Sequence, residues 1–128
     1  MKSPGDLKLE AFPNAPACMT GAVVNGDSSK GAATMVLKAT KGCVVPWHWR
    51  SDTEELMMTA GAARLEMPDA KPATLRAGAY GLMPAHHVHQ FTCLASCTLF
   101  LRAGGAFDIH YVNAAGTEIP GTEALKTK

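Results

Sequence analysis

The sequence predicts an all-β protein with one domain, and three observations support that class. Short apolar runs recur along the chain, and several alternate polar and apolar residues as half-buried strands do. Glycine, proline and asparagine separate these runs at the regular spacing of barrels and sandwiches. No stretch has the periodicity of a helix of ordinary length. The 128 residues suffice for one core, which we place at about residues 6–113, with a short C-terminal tail.

The N-terminal part of the chain is predicted to form three strands. Asp6 to Ala11 alternates polar and apolar residues, and a Pro-rich link follows it. Met19 to Asn25 stops at a turn signal, NGDSS. Ala33 to Thr40 contains β-branched residues, which favour strands.

The stretch from Gly42 to Gly61, GCVVPWHWRSDTEELMMTAG, is predicted as a strand, a polar turn and a second strand. Since side chains alternate in an extended chain, His48 and Arg50 share one face and the neighbouring tryptophans point to the other. A hairpin of this kind brings Glu54 back beside His48. An imidazole and a carboxylate that converge are ordinary ligands of a first-row metal.

The rest of the chain continues as short strands. The segment Cys93–Cys97 is predicted as a tight hairpin loop, and Ile119 to Leu125 as a short helix or a tail. The remaining strands are predicted at Ala62–Met67, Thr74–Arg76, Tyr80–Met83, Val88–Cys93, Cys97–Ala103 and Phe107–Asn113.

Two motifs in this sequence resemble those of the cupin superfamily. The first, G-x5-H-x-H-x3-E-x6-G, fits the stretch from Gly42 except that Arg50 replaces the second histidine. The second, G-x5-P-x-G-x2-H, begins at Gly78 and keeps Pro84, while His86 replaces the glycine and His89 falls on the ligand position. The closing segment from residue 106 to 113, AFDIHYVN, is similar to that of small bacterial cupins of unassigned function.

This resemblance implies a double-stranded β-helix, a jelly-roll-like barrel formed by residues 1–128 as a single cupin domain. By the same analogy, we expect a homodimer that pairs through edge strands. One fold hosts many reactions, so the resemblance is informative about the fold and much less so about chemistry.

The resemblance also implies a metal site, with His48, Glu54 and His89 as ligands. Iron, manganese, copper, zinc and nickel all suit these donors. Arg50 has no lone pair to give a metal, and its charge repels a cation. Three outcomes are open for Arg50: it swings away from a three-ligand site, it pairs with Glu54 and the pocket holds no metal, or it binds a substrate carboxylate.

The expected function is a metal-dependent, oxidative reaction on a small organic molecule in the barrel cavity, with Arg50 orienting an anionic group. The alternative is a non-catalytic binding or sensing module, in which Arg50 pairs with Glu54 and the cavity binds a small ligand without metal.

Other histidines and aromatic residues have two interpretations each. His87 shares strand parity with His89, so it either supplies the ligand lost at position 50 or lies at the barrel rim. If the turn at His86 requires a positive φ, we expect a changed turn there. Trp47 and Trp49 either pack against a second layer or partner, or form an aromatic platform for a flat substrate.

Composition excludes several classes of function. Net charge is +1 with no cluster of Lys and Arg, so we expect no nucleic-acid partner. No apolar run has the length of a membrane span. The first residues lack the apolar core of a signal peptide, which fits a cytoplasmic protein, or a periplasmic or secreted domain given without its leader.

Four cysteines bear on the compartment. Cys93 and Cys97 flank the predicted loop and are close enough there for a disulfide, whereas Cys18 and Cys43 meet only through the fold. The alternative is four buried free thiols. Oxidised pairs favour an oxidising compartment.

Overall fold

The computed structural model describes residues 1–126 and confirms the all-β class. A 3-10 turn at Pro4–Asp6 and a four-residue helix, α1, at Gly121–Ala124 are its helical segments within those residues. The ten strands are β1 Glu10–Ala11, β2 Met19–Gly26, β3 Ala33–Ala39, β4 Val44–Trp49, β5 Glu54–Glu66, β6 Ala73–Arg76, β7 Tyr80–Met83, β8 His89–Ala103, β9 His110–Val112 and β10 Glu118–Ile119.

Two long strands, β5 and β8, organise the sheet. The antiparallel order is β1-β2-β3-β8-β4-β9-β10, and β5 pairs with β6, β7 and β8. Because β8 pairs with β3, β4 and β5, it joins the parts of the sheet that curl around a common core. That core consists of apolar side chains from most of the strands, among them Met35, Val45, Leu56, Met58, Phe91, Leu99 and Leu101.

The predicted hairpin between Cys93 and Cys97 is wrong, because β8 runs unbroken through these residues. Its Leu94–Ser96 segment is exposed and bulges beside β5, where the pairing register shifts repeatedly. Gly61 of β5 lies against this bulge with φ +79°, and a Cβ at Gly61 would collide with the Ser96 carbonyl. Small and polar residues that resemble a turn in sequence therefore form a bulge in a continuous strand.

The predicted hairpin between the two halves of the first motif is also absent. In the described part of the chain, β4 pairs with β8 and β9, whereas β5 pairs with β6, β7 and β8. Residues 50–53 thus carry the chain from one part of the sheet to another. Glu54 still reaches the cavity, because it begins β5 on the buried face.

The strands near both ends are shorter than predicted. The expected first strand, Asp6–Ala11, is reduced to Glu10–Ala11, and Phe107–Asn113 is reduced to His110–Val112. β1 pairs with β2 over two register positions, and β9 pairs with β4 and with β10 over two positions each, so few ladder hydrogen bonds define these strands. The expected helix or tail after Ile119 contains α1.

Disulfides join Cys18 to Cys43 and Cys93 to Cys97, with Cα atoms 5.7 and 6.1 Å apart. Both separations lie in the usual range, and such bonds persist in oxidising compartments. In the structure both pairs of cysteines are therefore oxidised, and the alternative of four free thiols does not hold.

No helix within residues 1–126 combines the length and the hydropathy required to span a membrane.

Candidate functional site

His48 and His89 lie side by side on neighbouring strands. Their Cα atoms are register partners between β4 and β8, and their ring centroids are 4.2 Å apart. In a regular strand, residues three apart point to opposite faces. A register shift between Val45 and His48, at Pro46, lets the side chains of both Val45 and His48 face inward. His48 and His89 are 1% and 3% exposed.

Both of these histidines are oriented by the backbone. Nδ1 of His48 lies 2.6 Å from the Pro46 carbonyl oxygen, and Nδ1 of His89 lies 2.9 Å from that of His87. A neutral ring that donates through Nδ1 keeps its lone pair on Nε2. Burial lowers the pKa of His48 well below its usual value, and burial lowers the pKa of His89 to about 4 against its hydrogen bond to His87. Both rings are therefore neutral at pH 7.

Arg50 is held in place by three contacts. Its Nε lies 2.7 Å from Oε1 of Glu54, and its Nη1 donates to the Asp108 carbonyl oxygen at 2.8 Å. Its guanidinium carbon lies 4.6 Å from the centroid of the Phe107 ring, a cation–π distance. The guanidinium is thus fixed at the cavity wall, so of the three outcomes the structure shows the ion pair with Glu54.

Glu54 is buried opposite Met83 of β7, at 2% exposure. Burial raises its pKa to about 7, although the positive charge of Arg50 acts in the opposite direction. The Arg50 Nε–H is not directed at the Glu54 oxygen, and it is a buried donor without a hydrogen-bond partner among the described residues. Charge and proximity, rather than an aligned hydrogen bond, hold this pair together.

The cavity between these four side chains is small, at about 30 Å³. It has room for roughly two or three water-sized groups. Apart from the polar side chains, its walls are apolar, and they are formed by Met19, Leu37, Val45, Leu56, Leu65, Met83, Phe91, Leu99 and Leu101.

The donor set does not fit a resident metal in this arrangement. A cation bound to the Glu54 carboxylate would have to displace the guanidinium of Arg50, which three contacts hold. Among residues 1–126, no group of three or more His, Cys, Asp or Glu side chains is placed to hold an ion. The assignment of His48, Glu54 and His89 as metal ligands stays a prediction.

A second polar cluster lies at the rim, outside the cavity. Asp108 accepts hydrogen bonds from the Ser51 amide at 3.0 Å and from the Ser51 hydroxyl. His110 lies between two carboxylates, with Nε2 3.0 Å from Asp108 Oδ2 and Nδ1 3.0 Å from Glu118 Oε2. Its ring stacks on Trp49, with centroids 3.9 Å apart.

The pKa of the rim histidine is shifted upward, whereas the pKa values of the two cavity histidines are shifted downward. Burial lowers the pKa of His110, but its hydrogen bonds to Glu118 and Asp108 and their charges outweigh burial and raise it. Burial raises the pKa of Asp108, but hydrogen bonds from Ser51 and His110 outweigh this effect, so the pKa of Asp108 is lowered overall. The surroundings of His110 therefore favour its protonated form.

The remaining predicted residues lie at the rim or outside. Trp47 and Trp49 are half-buried, and Trp49 packs between elements, since it contacts both His110 and His86, the latter with centroids 5.2 Å apart. His86 keeps a positive φ of 64°, so the expected change of the turn does not occur. His87 is exposed, which favours the rim over the ligand role.

Sequence reasoning missed the part that Asp108 plays. It supports Arg50 through a backbone carbonyl, which no side-chain pattern reveals. The parity of Asp108 and His110 in the closing segment was the signal available for their contact.

Comparison with known families gives a match over most of the chain. A family model described as the ChrR cupin-like domain matches residues 7–106. No curated protein sequence matches the chain.

Solved structures with similar folds share little sequence with the chain. The polyketide cyclase RemF from Streptomyces resistomycificus has a TM-score of 0.72 at 17% identity, over 98% of this chain and 96% of its own. An RmlC-like cupin from Ralstonia eutropha JMP134 also has a TM-score of 0.72, at 16% identity over 91% and 74%. A protein proposed to be an acetylacetone dioxygenase, from Methylibium petroleiphilum PM1, has a TM-score of 0.69 at 16% identity over 93% and 85%. These similarities support the cupin fold.

Proposed function

This chain belongs to the ChrR cupin-like domain family, and from that membership and the geometry of its cavity we propose that it binds a small ligand without a metal. In this function the ion pair of Arg50 and Glu54 takes the place that a metal centre has in related barrels. The observation that carries the proposal is the buried contact of 2.7 Å between Arg50 Nε and Glu54 Oε1, at the wall of the cavity.

The ion pair changes what the cavity offers to a ligand. A divalent cation would meet the fixed positive charge of Arg50, so its binding is opposed by repulsion. Because the charge of Arg50 is already opposed by Glu54, a substrate carboxylate would have to compete with Glu54 for the guanidinium. The pair therefore disfavours both the metal site and the anion-binding role of Arg50.

A metal-dependent oxidative enzyme is the second candidate. Its support is the pair of neutral imidazoles, whose Nδ1 atoms face backbone carbonyls and whose Nε2 lone pairs are left for another partner. Backbone carbonyls orient metal-bound histidines in this manner in many proteins. The dioxygenase and cyclase among the similar structures are consistent with a cupin enzyme, but similarity at 16% and 17% identity extends to the fold alone.

The first experiment measures metal content in the unaltered protein and in an Arg50→His variant, both purified without an affinity tag and offered iron, copper, manganese, nickel and zinc. We expect less than about 0.1 equivalent of metal in the unaltered protein and near one equivalent in the variant, because the substitution replaces a repelling cation with a lone-pair donor. Near-stoichiometric metal in the unaltered protein would overturn the proposal and favour the enzyme.

An Arg102→His variant is the matched control. Arg102 is an exposed residue of β8 that bonds Thr34, so a histidine there adds a metal-binding side chain without altering the cavity. Metal uptake by this control equal to that of Arg50→His would show that the added histidine, and not the cavity, binds the metal.

A further inference from the structure

Two buried polar atoms at the cavity have no hydrogen-bond partner among residues 1–126, and they are chemically complementary. One is Nε2 of His48 and the other is Nε of Arg50. Arg50 Nε carries a hydrogen and is a donor only, whereas His48 Nε2 is an acceptor because Nδ1 faces the Pro46 carbonyl. Leaving a buried polar group unpaired is unfavourable, so a molecule that pairs both atoms gains from each.

Charge restricts the molecule that fits these two atoms. The guanidinium of Arg50 already has the carboxylate of Glu54 at 2.7 Å, and each of the two histidines beside it faces a backbone carbonyl through Nδ1, which leaves Nε2 as an acceptor. An anion placed here would lie close to Glu54 and be repelled, and a cation would meet Arg50. A neutral polar molecule carries neither penalty.

Size restricts the molecule further. The cavity of about 30 Å³ has apolar walls that include Leu56, Phe91 and Leu101. It admits a group of a few heavy atoms, with its apolar end against these walls and its polar end toward the donor and the acceptor.

We propose that the ligand of this cavity is a small neutral molecule, or the end of a larger one, in which a carbonyl oxygen stands beside an N–H or O–H, as in a primary amide. The carbonyl oxygen accepts from Arg50 Nε–H, and the N–H or O–H donates to His48 Nε2. This inference rests on the proposed metal-free binding and names the chemical class that it takes.

Three molecules of nearly equal shape test the proposal on the unaltered protein at pH 8. Acetamide offers the acceptor and the donor, acetone offers only the acceptor, and acetate is an anion without a donor. We expect acetamide to bind with a dissociation constant of about 1–10 mM, an affinity that a ligand of about four heavy atoms can reach. It should bind at least tenfold more tightly than acetone or acetate. The measurement is the shift of ¹⁵N and ¹H signals of the cavity residues, His48 Nε2 included.

The outcomes separate this inference from the function beneath it. Equal affinity for acetone and acetamide would show that His48 Nε2 is not used, and preference for acetate would show that Arg50 is a carboxylate receptor; either result overturns the inference and leaves metal-free binding intact. Failure of all three to bind, together with stoichiometric metal in the same protein, overturns both.

A His48→Phe variant sharpens the test. It removes the acceptor, so the preference for acetamide over acetone should vanish while acetone binding persists. If this variant does not fold, the three-molecule comparison on the unaltered protein still decides the matter.

Discussion

The histidines of the cavity and the histidine of the rim have opposite states within one small barrel. His48 and His89 face backbone carbonyls through Nδ1, and burial lowers the pKa of both. His110 faces a carboxylate through each nitrogen, and these two partners raise its pKa. The cavity histidines are lone-pair acceptors, whereas the surroundings of His110, which stacks on Trp49, favour its protonated form.

The difference teaches that burial and the partner of each nitrogen together decide the chemistry of a histidine. A carbonyl accepts one hydrogen bond from a neutral ring and leaves the second nitrogen free. Two carboxylates require two N–H donors, which only the protonated ring has. The arginine between the two regions contacts both, since its Nε meets Glu54 and its Nη1 meets the Asp108 carbonyl.

The largest expected effect on stability comes from the substitution Arg50→Met, which removes the cation of the cavity. The substitution leaves the Glu54 carboxylate buried without a cation, and breaking a buried pair in this manner costs about 3–5 kcal/mol. We expect that loss in the free energy of unfolding at pH 8, above the Glu54 pKa of about 7. At pH 5 the carboxyl is protonated, and the loss should be much smaller. Urea unfolding at both pH values measures it.

Arg102→Met is the control for this variant, because it removes a guanidinium from the exposed face of β8 and should change stability by less than about 0.5 kcal/mol. Equal losses for Arg50→Met at pH 8 and pH 5 would contradict the buried charge of Glu54 as the cause.

A smaller effect should follow from acidification. The folded pKa of His89 is lowered from 6.5 to about 4, so its contribution to stability is present above pH 6.5 and is lost as the pH falls toward 4. One pKa unit corresponds to about 1.4 kcal/mol, so we expect a loss of about 2–3 kcal/mol between pH 7 and pH 4.

A His89→Gln variant should reduce this pH dependence of unfolding, with the remainder coming from His48, whose pKa burial also lowers. A His87→Gln variant, changed at an exposed position, should retain the full dependence. Identical pH dependence in both variants would show that His89 is not the group responsible.

The smallest effect concerns the rim, where Glu118→Gln removes one of the two carboxylates at His110. We expect the His110 pKa to fall, because a nearby negative charge that favoured the cation is gone. A proton NMR titration of the imidazole measures the change. Glu123→Gln, at an exposed position of α1, is the control. An unchanged His110 pKa in Glu118→Gln would show that Asp108 alone sets it.

Much of the fold could be predicted from the spacing of residues in the sequence, and the predictions that were wrong have identifiable physical reasons. The two motifs placed His48, Glu54 and His89 around one cavity, as the structure does. The strands at Met19–Gly26, Ala33–Ala39 and Tyr80–Met83 match their predicted ranges closely. The Leu94–Ser96 segment was mistaken for a turn because a bulge and a turn use the same small and polar residues.

The site was less predictable than the fold, since its decisive contacts depend on geometry across strands. The pair of Arg50 and Glu54 was one of three alternatives, and sequence alone offered no way to choose among them. The stack of Trp49 on His110 arises because these residues are register partners between β4 and β9, and that register is fixed by the whole sheet.

The position of β8 in the sheet also has a consequence for biosynthesis. It pairs Ala103 with Ala33 and also supplies partners to β4 and β5. While the chain emerges from a ribosome, the earlier strands therefore wait with unpaired edges until residue 103 has been made. Contacts this distant in sequence close slowly, and exposed strand edges invite association with other chains. Newly made copies of this barrel are accordingly most open to association with other chains during the interval before β8 is complete.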